Sequence, residues 1–157
     1  MKKIKLTDLL IFIVTAELVG AFSALLSGNF SALYAEIVRP PLSPPSWLFP
    51  VVWALLYALM GTSAYLIWQD HKNEIRRSSA LRLYFVQLAV NFSWSIVFFR
   101  FRLFGAASAL SIALFLLVVI MIFSFYKIRP LAAWLNIPYA VWLIIASYLA
   151  IGVYILN

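Results

Sequence analysis

Residues 104–126 read FGAASALSIALFLLVVIMIFSFY, without one Asp, Glu, Lys, Arg or His. An α-helix rises about 1.5 Å per residue, so roughly 20 apolar residues cover the ~30 Å hydrocarbon core of a bilayer. The stretch is long enough to cross. Its unbroken apolar character, with no period of two, argues for a helix rather than a strand of an outer-membrane barrel. Arg100 and Arg102 precede it and Lys127 and Arg129 follow it, marking the places where the chain meets water.

The same polar punctuation divides the rest of the chain into four more apolar runs, near Leu9–Leu26, Trp47–Trp68, Leu83–Phe99 and Leu131–Leu156. The expected fold is an all-α integral membrane protein, a five-transmembrane-helix bundle forming one domain over residues 1–157. Composition agrees: 66% of residues are hydrophobic and 11% charged, and the mean hydropathy is +1.01. A water-soluble fold needs a polar surface that 12 Lys+Arg and 5 Asp+Glu cannot provide. Soluble enzymes and disordered modules are excluded. With no cysteine and a single histidine, His71, the chain has no disulfide, no thiolate nucleophile and no cluster suited to zinc. No metal site and no obligatory cofactor are expected.

The net charge of +7 reads as topology rather than as affinity for nucleic acid. An odd number of spans puts the two termini on opposite faces. Lys2, Lys3, Lys5, Lys72, Arg76, Arg77, Arg82, Lys127 and Arg129 fall on the N-terminal face, and only Arg39, Arg100 and Arg102 on the other. Retention of cations on the cytoplasmic side then predicts a cytoplasmic N-terminus, with anionic headgroups as a secondary partner. The early lysines resemble the start of a signal peptide, but the run after them exceeds the usual 7–15-residue apolar core and contains Glu17, so it is read as a retained span. No organelle address is visible, and a bacterial cell membrane is the expected location.

The connection between the first two spans, about residues 27–46, is longer than ordinary loops of up to ~15 residues, and such loops are usually functional. Pro40, Pro41, Pro44 and Pro45 fall within it and Pro50 just beyond. Prolines fix φ and remove amide donors, so a stiff, largely extended cover is expected rather than a helix or a tether. Ser43 before Pro44 suits a helix N-cap.

Aromatic and amide side chains recur at helical spacing. Phe49, Trp53 and Tyr57 share a face of the second span; Tyr84, Gln87, Asn91, Trp94, Ser95 and Phe98 recur at intervals of three and four in the third. Tyr139, Trp142 and Ala146 do so in the fifth, where Pro138 should kink the helix. Amides are disfavoured against lipid, so Gln87 and Asn91 should face protein or a cavity. Trp53 and Trp142 suit pocket walls and plain packing equally, whereas Trp47, Trp68 and Trp134 lie near span ends, as interfacial tryptophans do. Glu17 is the one acid well inside a span, either a proton-coupled transport site or, without a transport role, a carboxyl held protonated or paired with a helix neighbour. Gly20, Ala24 and Gly28, like Gly105, Ala109 and Ala113, put small residues at intervals of four, which allows close helix contact within a protomer or across a dimer.

From Tyr34 to Met60 the chain reads YAEIVRPPLSPPSWLFPVVWALLYALM. It resembles the tryptophan-rich sensory protein and translocator protein family (TspO/MBR, once the peripheral benzodiazepine receptor), whose pattern is W-Y-x-x-L-x-K-P-x-W-x-P-P-x-W-x-F followed by V-W-x-x-L-Y-x-x-M. Gln87-Leu88, Asn91-x-x-Trp94, Phe98-Phe99, Pro138-Tyr139-x-x-Trp142, Tyr148-Leu149 and Asn157 extend the resemblance over nearly the whole chain. Leu33 and Leu42 stand where the family usually has tryptophan, and Ala150 where it has asparagine. No basic residue follows Tyr148 or Tyr154, so the motif proposed for cholesterol is not met.

The resemblance implies a homodimer of five-helix protomers, each with a pocket capped by the long loop. It implies porphyrins such as protoporphyrin IX and other planar hydrophobic molecules as ligands. It also implies light- and oxygen-dependent porphyrin breakdown as an activity of some members, with Trp53 and Trp142 at the matching positions. Such a plate with carboxylates at one edge needs aromatic walls and a cation near the mouth. Trp53, Tyr57, Trp94, Phe98, Trp142 and Ala146 are the expected walls, Tyr34 and Pro44 the lid, Gln87 and Asn91 the hydrogen-bonding groups, and Arg39 the cation. His71 falls on the opposite face, so a metal-free tetrapyrrole is favoured over one with an axial histidine. Any chemistry would be photochemical, with no nucleophile or acid–base pair. The alternative is a small proton-coupled transporter of hydrophobic compounds that uses Glu17.

Overall fold

The computed structural model describes residues 5–157. Lys2 and Lys3, two of the cations that set the expected orientation, lie outside the described residues. Seven α-helices follow in order: α1 (Leu6–Ser27), α2 (Phe30–Glu36), α3 (Leu48–Trp68), α4 (Glu74–Ser95), α5 (Phe104–Tyr126), α6 (Pro130–Trp134) and α7 (Ile137–Leu156), with a π-helical turn, Ile96–Arg100, continuing α4. Five stretches are long and apolar enough to span a bilayer: α1, α3, α4 with its π turn, α5, and α6 with α7. The chain is an all-α integral membrane protein.

The third span starts earlier than its apolar run, because polar residues can begin a helix in water. Asn73 Oδ1 accepts the Arg76 N–H at 2.9 Å, and Glu74 in the first turn complements the helix dipole. In the fifth span the expected kink is a full break: Leu135 and Asn136 separate α6 from α7, and Pro138 sits in the first turn of α7, where its missing N–H leaves nothing unbonded.

The long connection departs from its expected extended form. Its four prolines all follow Arg39, so the proline-free segment FSALYAE is free to form α2, started by Asn29, whose Oδ1 accepts the Ala32 N–H at 3.1 Å. Ser43 is not an N-cap. Its hydroxyl donates to the Pro40 carbonyl at 2.6 Å, and α3 begins only at Leu48. Leu42 bridges the prolines with φ 62°, a left-handed conformation unfavourable for a residue with a Cβ.

α1 lies along α3, α5 along α7, and α4 with its π turn touches α1, α3 and α5. The backbones of α1 and α3 come close at Gly61, where an added Cβ would stand 2.7 Å from both the Ile13 Cα and the Phe12 carbonyl oxygen. Only glycine lets the backbones of α1 and α3 touch there. Rings of Phe49 and Trp142 (centroids 5.5 Å apart) and of Trp53 and Tyr139 (6.2 Å) pack across the space between α3 and α7. Leu10, Ile11, Val14, Leu18, Phe22 and Leu25 of α1 point outward, as a lipid-facing stripe does.

Buried polar groups tie distant spans together. Asn91 Nδ2 donates to the Tyr139 hydroxyl at 3.0 Å, and that hydroxyl donates to Gln87 Oε1 at 3.0 Å. Asn136 Nδ2 donates to Ser63 Oγ at 2.5 Å, and Ser63 Oγ donates to the Ala132 carbonyl at 2.8 Å, joining α3 to the break in the last span.

Candidate functional site

A cavity of about 330 Å³ opens between α1, α3 and the π turn, at the lower end of the ~300–1,000 Å³ range of small-molecule sites. The α3 stripe forms one wall. Phe49, Trp53 and Tyr57 fall on one face because they recur every four residues, and Pro50 and Ala54 complete that wall. Phe30 of α2 and Phe99 of the π turn close the lid end, their rings meeting edge to face at 4.9 Å. The opposite wall is the α1 stripe of Gly20, Ala21, Ala24 and Ser27, with Glu17 at the deep end.

That α1 wall revises the reading of its small residues as a helix contact. A Cβ on Gly20 would stand 2.2 Å from the Tyr57 ring. Glycine there admits the ring, and the alanines beyond it leave the volume that larger side chains would fill. Ala109 and Ala113 of the second small-residue stripe are exposed.

The connection between α1 and α3, which gives Phe30 to the cavity, is fastened at several points. The Tyr34 hydroxyl donates to the Pro44 carbonyl at 2.5 Å, and Tyr148 of α7 donates to the Pro41 carbonyl at 2.8 Å. Asn157 grips Val38 from both sides, its Oδ1 accepting the Val38 N–H at 3.0 Å and its Nδ2 donating to the Val38 carbonyl at 2.9 Å. Glu36 pairs with Arg102 at 2.9 Å. Nothing in the sequence pattern alone gave Asn157 or Tyr148 this role, because each bonds a residue more than a hundred positions away.

The expected site residues divide into groups. Trp53 and Tyr57 line the cavity, with ring centroids 5.5 Å apart. Tyr34 stacks on Phe30 at 5.3 Å, one layer behind the cavity, and Pro44 anchors it. Arg39 lays its guanidinium over the Tyr34 ring, 4.6 Å from the centroid, instead of reaching the cavity wall. Phe98 is fully buried and Phe99 takes the lining position. Ser95 of the same stripe also lines the cavity, and Phe99 follows it at i+4, whereas Phe98 follows Trp94 and stacks on it in the packed interior. Trp142 lies behind Phe49 and its indole N–H has no partner among the described residues. Gln87 and Asn91 are engaged with Tyr139 and lie outside the cavity lining, and Trp94 donates its indole N–H to the Ala107 carbonyl at 2.9 Å. Asn91, Trp94 and Ala146 meet Trp53 instead around a second, closed gap with no room for a water molecule. His71 is exposed beside Arg77, Glu74's partner, at the other end of the bundle.

The arrangement can sandwich a flat apolar molecule between rings on α3 and the small residues of α1. The model of the TspO/MBR family matches residues 11–156. A tryptophan-rich protein TspO of Archaeoglobus fulgidus is 33% identical over 157 residues, covering 100% of this chain and 99% of the relative. The human translocator protein is 33% identical over 131 residues (82% of this chain, 78% of the relative). A tryptophan-rich sensory protein of Cereibacter sphaeroides is 32% identical over 109 residues (69% and 66%).

Proposed function

The chain belongs to the TspO/MBR family, and from that premise we propose that it is a membrane receptor or sensor that binds porphyrins and other planar hydrophobic molecules beneath the lid. The observation that carries this reading is the 330 Å³ cavity with Phe30, Phe49, Trp53, Tyr57 and Phe99 in its walls. Aromatic rings offer a flat guest large apolar contact and stacking. The cavity lining contains no histidine, which favours a metal-free tetrapyrrole such as protoporphyrin IX over one held by an axial imidazole.

Breakdown of the porphyrin is proposed as a light- and oxygen-dependent side reaction. The bound pigment absorbs light, and the Trp53 indole in the wall exchanges electrons with it or intercepts the reactive oxygen it produces, with Trp142 acting from behind Phe49. Titration of the purified protein with protoporphyrin IX, followed by the shift of its main absorption band, tests binding. Trp53→Phe should weaken binding only several-fold. Trp53→Phe/Trp142→Phe should abolish photobleaching of the bound pigment, and unchanged bleaching refutes the tryptophan assignment.

Glu17 at the deep end of the cavity favours a second reading, proton-coupled transport of hydrophobic compounds. Flux through liposomes carrying Glu17→Gln decides it, undiminished flux excluding the role. The nine-to-three distribution of cations supports a cytoplasmic N-terminus in a bacterial cell membrane. The outward-facing Ala109 and Ala113 of α5 support a second copy of the chain as partner.

A further inference from the structure

The cavity lining holds an acidic side chain and no basic one. Glu17, near the middle of α1, is the single carboxyl in the cavity lining, and no Lys, Arg or His is in that lining. Among the described residues Glu17 makes no hydrogen bond or ion pair. The arginines at the lid end are turned elsewhere: Arg39 onto the Tyr34 ring, Arg100 onto the Leu26 carbonyl at 3.4 Å, Arg102 onto Glu36. From Ser27 to Glu17 the α1 wall descends ten residues, roughly 15 Å at the helical rise. The Tyr57 ring faces α1 at Gly20, one turn above Glu17, and the Trp53 ring lies next to it toward the lid end, 5.5 Å away. A carboxylate held in an apolar membrane interior is strongly unfavourable without a counter-charge, and π-faces beside it attract cations. Carboxylates of a guest, by contrast, would be repelled from the deep end.

We infer that the cavity selects a planar apolar ligand bearing an ammonium or other cationic nitrogen, which enters aromatic part and cation together so that the cation meets Glu17 and the Trp53 and Tyr57 rings. The inference rests on the ligand-binding reading above and specifies its chemistry. A dicarboxylate porphyrin then binds with its acidic edge toward the lid and its opposite, apolar edge inward, and a cationic arene of smaller size binds more tightly for its area.

The test uses the full chain in nanodiscs of phosphatidylcholine and three probes of nearly one shape: 2-naphthylmethyl-trimethylammonium, its uncharged isostere 2-neopentylnaphthalene, and 2-naphthylacetate. Calorimetric titrations are corrected with empty discs, and protoporphyrin IX is titrated in parallel. The wild type should bind the ammonium at least about tenfold more tightly than the isostere and the acetate least of all. Glu17→Gln should erase the preference while keeping the isostere's affinity, and Glu17→Asp, which keeps the charge if the amide variant fails to fold, should retain part of it. Equal binding of ammonium and isostere by the wild type overturns the inference, as does an undiminished preference in Glu17→Gln. Protoporphyrin IX bound with no naphthyl probe bound also overturns it and leaves the ligand-binding reading standing. Loss of protoporphyrin IX as well brings down that reading itself.

Discussion

Leu42 is a residue whose backbone works against its side chain. It is almost wholly exposed, at 96%, and its φ of 62° is set by the turn between prolines. A left-handed conformation costs an L-residue about 1–2 kcal/mol, and glycine removes that strain at an entropic cost of roughly 0.5–1 kcal/mol. Leu42→Gly is therefore expected to raise thermal stability in detergent slightly, by up to about 1 kcal/mol, and a clear fall in the melting temperature would contradict the strain. Ala24 makes the opposite case, a small side chain that creates volume. Ala24→Phe should occupy the cavity and weaken protoporphyrin IX binding at least tenfold with little change in melting temperature, measured by titration and thermal unfolding of the same sample. Tyr139→Phe leaves the Gln87 and Asn91 amides without their shared partner and should destabilise the bundle by about 1–2 kcal/mol.

Among the helices, Gly61 sets how closely α1 can lie on α3. Gly61→Leu forces a side chain into the Phe12 and Ile13 backbone, and the separation should cost about 2–3 kcal/mol in thermal unfolding or prevent folding. The lid answers to Asn157, whose removal (Asn157→Ala) should speed amide exchange at Val38 while leaving exchange in the middle of α5 unchanged. The five spans were legible because membrane-crossing length is written as uninterrupted apolar sequence, and burial of Gln87 and Asn91 followed from the unfavourable placement of an amide in lipid. Helix α2 was not, since the prolines from Pro40 to Pro45 stiffen only their own stretch and leave the residues before Arg39 free to coil. Phe99 was missed because the Phe98–Phe99 pair straddles two faces, Phe98 in line with Trp94 and Phe99 with Ser95. The α1 wall was hidden because small residues signal close contact and open space with the same letters, and only the position of Tyr57 opposite Gly20 tells which.

Across the whole molecule, α1 and α3 pack together from the Tyr65 and Trp68 end as far as Gly61 and part toward the lid. Their backbones touch at Gly61, a tyrosine ring separates them at Gly20, and open volume lies between Ala24 and Pro50. The pair is thus a lever with its fulcrum near Ile13. From there to Ala24 is about 16 Å of helix, so a swing of roughly 5° moves the far end by about 1.4 Å, enough to admit or pinch a ring. Tilting is one way a membrane helix accommodates a mismatch with the thickness of the surrounding bilayer. Affinity for a given guest should therefore change with acyl-chain length in otherwise identical lipid, making the jaw a gauge of its own solvent.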